Sequence, residues 1–123
     1  MRLYNIHKNI EFLSYQQDLS EFYNSIDCLI VPSLEDTFNM AALEAMAHYR
    51  PVIISNNAGA CEVIKEGQNG YVFDVRQNGA GNLTDRLMQF IDNKPNFAIT
   101  CRKTAENYSW NRVYERVCEE LRI

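Results

Sequence analysis

The chain has 123 residues, of which 46% are apolar and 23% charged, with a formal net charge of −4. That is one domain with room for a real core, and its composition excludes a disordered tail as the main content. With no basic run and no apolar stretch near the roughly 20 residues of a membrane span, neither nucleic acid nor a bilayer crossing is an expected partner.

The opening residues, MRLYNIHKNIEF, lack the apolar centre of a signal peptide, which predicts a cytoplasmic protein. Cys28, Cys61, Cys101 and Cys118 never fall in a C-x-x-C pair and read as reduced core thiols. His7 and His48 have no second ligand at metal spacing, so no metal site is expected.

In chain order, Asn9–Tyr15 is rich in β-formers and reads as a strand. Leu19, Phe22, Tyr23 and Ile26 then fall at i, i+3, i+4 and i+7, one face of a helix from about Gln17 to Ser25. Cys28–Val31 is apolar without alternation, the pattern of a strand covered on both faces, and Pro32-Ser33 ends it. After an acidic loop (Glu35, Asp36), a helix opens near Asn39 and runs to His48. It is apolar nearly all round, which predicts packing on several sides, and one charge, Glu44, interrupts it. An ionised carboxylate inside such a helix is costly unless something hydrogen-bonds it.

Pro51–Ser55 is a second buried-type strand, Asn56–Gly59 a turn, Ala60 to Lys65 a short helix and Tyr71–Phe73 a further strand. Beyond a Gly- and Asn-rich break (Asn78 to Asn82), Leu83, Leu87, Phe90 and Ile91 mark a helix ending before Pro95. Another covers Pro95–Asn107. Ser109 caps a last one, whose Trp110, Val113, Tyr114, Val117 and Leu121 form a stripe. Strand and helix alternate at βαβ spacing, so the expected fold is α/β: a Rossmann-like parallel sheet of about four strands with flanking helices. Ligands of such sheets bind beyond the carboxyl ends of the strands. Here those ends are the loops after Val31, Ser55 and Phe73.

A helix opening just past a strand end offers free N–H groups and a partial positive charge to a diphosphate. Glu44, a turn further in, can accept from a pair of hydroxyls, and Asp36 from another hydroxylated group. Two carboxylates bracketing a phosphate-sized pole suit a nucleotide sugar better than a hydrolase. The same residues also have structural readings. Asp36, Thr37 or Asn39 would serve as a helix cap, and Glu44 would pair with a buried Arg or a backbone amide.

PSLEDTFNMAALEAMAHYRPVIIS followed by NAGACEVIKEGQNGYVFD resembles the carboxyl-terminal half of family 4 glycosyltransferases, which have the GT-B fold of two Rossmann-like domains. NIEFLSY before it and YSW after it match the family's layout, so the likeness covers nearly the whole chain from about Asn9. The resemblance implies that Glu44 holds the ribose hydroxyls of a nucleotide-sugar donor and that Asp36 meets the transferred sugar. The segment Ser33, Thr37, Phe38, Asn39 and Met40 would bind sugar and diphosphate, largely through backbone amides. Gly59 and Glu62 fall on the family's Gly-Gly-x-x-Glu segment. No cofactor is implied beyond the nucleotide sugar, which is substrate.

Three positions depart from the family pattern. Asp36 is one methylene shorter than the family's Glu, a change of about 1.5 Å in reach. Asn39 stands where the family has Gly, and Asn tolerates positive φ and caps helices well. Tyr49 replaces a helix-ending Gly; left-handed backbone there would cost about 1–2 kcal/mol, so that turn is expected to be rebuilt.

Two further strands of the family's half, with a basic pair that neutralises the diphosphate, have no counterpart here, nor has the amino-terminal acceptor domain. Without those strands, Asn9–Tyr15 would stand roughly 14 Å from Cys28–Val31, three strand steps away. This predicts an altered sheet or a homodimer through an exposed strand edge.

The reading is therefore the donor half of a GT-B glycosyltransferase, an incomplete piece of one. It would transfer a sugar to a glycan or lipid-linked acceptor without a metal, in the cytoplasm or at the inner face of the membrane, and would not turn over alone. Asp36 and Glu44 are the candidate catalytic residues. The alternatives are a non-catalytic binding or assembly module and a GT-B epimerase of nucleotide sugars.

Overall fold

The computed structural model describes residues 7–93 and 96–123. Three parallel strands, β1 (Leu29–Val31), β2 (Val52–Ser55) and β3 (Gly70–Phe73), lie in the order β1-β2-β3. Ile30 is in register with Ile53, and Ile53 with Tyr71. Helices α1 (Ser20–Ser25), α2 (Met40–Ala47), α3 (Gly79–Asn93), α4 (Ala98–Asn107) and α5 (Trp110–Leu121) flank the sheet, with a 3-10 turn at Gly59–Val63. The expected α/β class holds, with three strands among the described residues where about four were expected.

Asn9–Tyr15 is the missing strand. His7–Asn9 is a 3-10 turn, no sheet partner follows it, and Phe12 and Tyr15 are each 92% exposed. β-forming side chains do not hold a strand whose N–H and C=O groups have no neighbour to bond.

Burial separates the strands. β2, in the middle, is buried along its whole length, as a strand covered on both faces must be. β1 is an edge strand with Val31 buried and Ile30 36% exposed, so the two-sided cover read from its sequence is absent. The core gathers Val31, Met46, Ile53, Ile54, Tyr71 and Phe97 between sheet and helices.

The helix boundaries moved for local reasons. α1 starts at Ser20, where Asp18 Oδ1 accepts the Ser20 N–H at 2.8 Å. α3 starts at Gly79, inside the expected break, because Asn82 ties its first turn to the carbonyls of Asp74 (3.1 Å) and Gln77 (2.7 Å). The expected start of α4 at Pro95 lies outside the described residues. Ser109 caps α5 by accepting from the Arg112 N–H, yet no residue of α5 is buried, and its stripe faces outward.

α2 is not packed all round. Ala42, Leu43, Ala45 and Met46 are buried against β1, β2 and α4, whereas Met40 and Glu44 lie on an open face. Its far end is the turn expected to be rebuilt, and it is not. The Arg50 N–H bonds Ala45 C=O (2.9 Å) and the Tyr49 N–H bonds Met46 C=O (3.0 Å), a Schellman ending with Tyr49 at φ 63°. The strain is tolerated because the Arg102 guanidinium sits over the Tyr49 ring at 5.6 Å and donates to Ala47 C=O at 2.7 Å. Tyr49→Gly removes about 1–2 kcal/mol of left-handed strain. Against that stand an exposed cation–π contact of about 0.5 kcal/mol and a larger entropy loss on folding. A net gain of about 0.5 kcal/mol is expected, read as a higher urea midpoint at unchanged slope.

Candidate functional site

Because the strands are parallel, their carboxyl ends lie on one side, and the loops after β1 and β2 meet there. The meeting is a backbone zipper. The Asp36 N–H donates to Asn57 C=O (3.2 Å), the Gly59 N–H to Asp36 C=O (3.1 Å) and the Ala60 N–H to Phe38 C=O (2.7 Å). Ser55 Oγ, buried at the end of β2, donates to Ser33 C=O at 2.6 Å. So Ser33, Asp36, Thr37, Phe38 and Gly59, chosen from separate stretches of sequence, form one rim. Gly59 is obligatory there, since a Cβ on it would stand 2.0 Å from Thr37 C=O.

Asp36 does not cap α2. Its Oδ1 accepts from the Phe38 N–H (3.2 Å) and its Oδ2 from Asn39 Nδ2 (3.0 Å), closing the loop on itself. Asn39 has φ 84°, so the departure from Gly is absorbed by a residue that visits the left-handed region. The side chain of Asn39 gives no cap either, and its Oδ1 is buried without a partner. The amino end of α2, at Met40, is thus left with its amides and partial positive charge open to an acceptor.

Glu44, one turn along, carries the main correction to the sequence reading. It is exposed, not enclosed, so no desolvation cost is being offset. Among the described residues no cation pairs with it. Its Oε2 accepts from Tyr23 Oη at 2.8 Å, and its side chain divides two clefts of about 300 and 390 Å³. The first lies between α2, α4 and the start of α5 and includes Met40 and Trp110; the second includes Leu19, Tyr23 and His48.

Glu62 stands apart. It lines a third cavity, of about 480 Å³, beside Lys65, Arg112 and Arg116, away from the Asp36 rim.

Tyr23 enters the sequence reading only as one position of a helical stripe. It is buried and is pushed up to about 12, first by burial and then by its bond to Glu44 and that group's charge. Its hydroxyl therefore stays a donor throughout the neutral range. The signal was available: a buried Tyr needs a partner for its hydroxyl, and it was the stripe's one side chain with a hydroxyl to satisfy.

Burial also raises the Cys101 thiol to about 12 and, joined by the charge of Asp27, raises Cys28. All four cysteines are free. Among the described residues no three His, Cys, Asp or Glu side chains converge as metal ligands, and no helix is long and apolar enough to cross a membrane.

In open parallel α/β sheets ligands bind beyond the carboxyl ends of the strands, where the uncapped start of α2 lies. Comparison with known proteins narrows this. The family model for glycosyl transferases group 1 matches residues 1–109, and the chain belongs to that family. An uncharacterised glycosyltransferase of Methanocaldococcus jannaschii is 29% identical over 107 residues, covering 85% of this chain and 27% of its own. Spore coat protein SA of Bacillus subtilis is 31% identical over 106 residues, 82% of this chain and 28% of its own. The chain thus spans under a third of the curated relatives it matches.

Among solved structures, the α/β fold of this chain matches part of a GT-B glycosyltransferase, Anabaena HepE in complex with UDP, at TM-score 0.74 and 20% identity over 94% of this chain and 33% of that one. Sucrose-phosphate synthase from Thermosynechococcus elongatus follows at TM-score 0.69 and 23% identity, over 85% of this chain and 27% of that one.

Proposed function

We propose that this chain is the nucleotide-sugar-binding half of a metal-independent glycosyltransferase. Glu44 accepts from the ribose hydroxyls, the open amides at Met40 receive the diphosphate, and the rim of Ser33, Asp36, Thr37 and Phe38 meets the sugar. The observation that carries the reading is the placement of Glu44. Unpaired by any cation among the described residues, it lies one turn from an uncapped helix start, on a ridge between two open clefts. The UDP complex of a GT-B neighbour supports the ligand class.

In the transferase the residues work by preorganisation. As the glycosidic bond to phosphate breaks, negative charge grows on the leaving diphosphate, and amides already aimed there stabilise it without reorienting. Glu44 fixes the nucleotide so that the sugar carbon stays aligned with an acceptor. That acceptor would bind on a second domain outside these residues. Glu62 has no part in this reading.

A second reading, a binding module without transfer, draws support from Asp36, whose two carboxylate oxygens are already engaged by Phe38 and Asn39. Titration calorimetry of the 123-residue chain tests both. UDP or GDP is expected to bind, and Glu44→Ala to weaken it at least tenfold; binding of neither, or binding indifferent to Glu44, overturns the donor-site reading. If UDP-glucose, UDP-N-acetylglucosamine and GDP-mannose all bind no tighter than their free diphosphates, the module reading is favoured.

A further inference from the structure

Glu44 is exposed on a helix face, and a free glutamate there samples several rotamers. One contact removes that freedom. Tyr23 Oη donates to Glu44 Oε2 at 2.8 Å from a ring that is itself fixed. The ring stacks on His48 with centroids 5.2 Å apart, and His48 Nδ1 bonds Glu44 C=O at 2.8 Å, so helix and phenol are braced to each other. α1, which carries the tyrosine, is clamped from outside. Arg50, just past the end of α2, donates through Nε to Tyr23 C=O (2.9 Å) and through Nη2 to Asn24 C=O (2.8 Å). The donor is thus set by the backbone of two elements, and the exposed acceptor takes its place from the donor.

We propose that Tyr23 is a positioning residue for Glu44, holding one carboxylate oxygen so that the other is presented to the vicinal hydroxyls of a ribonucleotide. The proposal rests on the donor-site reading above. An ionised carboxylate has about four lone-pair sites. Tyr23 takes one on Oε2, which leaves Oε1 whole and fixes the plane of the group. Two neighbouring hydroxyls can then donate to it without Glu44 first losing rotamer freedom on binding. A phenol suits this task because it remains protonated, and so a donor, throughout the neutral range.

A merely structural hydroxyl would satisfy the same bond, so the test varies the ligand together with the residue. UDP, or GDP if that is the nucleotide the chain binds, is titrated calorimetrically into the parent and into Tyr23→Phe. The same is done with the 2′,3′-dideoxy form. The ring and its stack on His48 survive in Tyr23→Phe, and a thermal melt checks that the variant folds. A positioning role predicts five- to tenfold weaker binding of the ribonucleotide and unchanged binding of the dideoxy form. Equal weakening of both forms, or of neither, overturns the proposal while leaving the donor site standing. Failure of the parent chain to bind UDP or GDP is a different result, which removes the donor-site reading and this inference with it.

Discussion

Gly59→Ala is expected to destabilise the chain by about 3 kcal/mol, at the upper end of what overpacking costs, because nothing near it can yield. The added Cβ would stand 2.0 Å from Thr37 C=O and 3.1 Å from Phe38 Cα, both backbone atoms of a loop zipped to the Gly59 turn on either side. Relief requires parting the Gly59 N–H from Asp36 C=O or the Ala60 N–H from Phe38 C=O, and either opens the rim. Nucleotide binding should therefore fall together with stability. Gly67 supplies the control: its φ is 72°, but a Cβ there meets nothing within 4 Å. Gly67→Ala carries only left-handed strain of about 1–2 kcal/mol and leaves binding alone. Urea melts of the two variants decide the matter, and a Gly59→Ala midpoint no lower than that of Gly67→Ala refutes the close-approach argument.

Much of this was legible in the residues. Pro51–Ser55 and Tyr71–Phe73 read as strands, and β2 and β3 form there to within a residue because the local pattern and the tertiary environment agree; β2 is buried from end to end. Asn9–Tyr15 forms no strand because β propensity is a statement about neighbours, and among the described residues that segment has no strand beside it. Glu44 stands out in the sequence on the cost of burying a charge, a term that vanishes for an exposed side chain. The Tyr49 turn kept its left-handed form because Arg102 braces it from α4, fifty-three residues on, which no local rule contains. The link between Tyr23 and Glu44 likewise spans elements, α1 to α2, so helical spacing could show two faces but not that they touch.

Asn69 is the other side chain whose role exists only in the folded chain, and Asn69→Ala is expected to cost about 4 kcal/mol. In the sequence it is half of an Asn-Gly turn. In the structure it is wholly buried, and every polar atom of its amide is used. Oδ1 accepts the Lys65 N–H at 2.7 Å, while Nδ2 donates to Val63 C=O at 3.0 Å and to Thr104 Oγ1 at 2.9 Å. Each bond contributes about 1 kcal/mol net, and truncation also leaves a buried donor and acceptor unpaired at about 1–3 kcal/mol. Because Thr104 lies on α4, the amide stitches the approach to β3 to the helix that packs on α2, and so supports the Glu44 ridge from below. Thr104→Val removes one of the three bonds and should cost about 1.5 kcal/mol. Thr104 Oγ1 and Asn69 share a bond, so the double variant should lose less than the sum, by about 1 kcal/mol. Denaturant melts of the four chains measure this directly, and strict additivity would mean that the two groups do not act as one network.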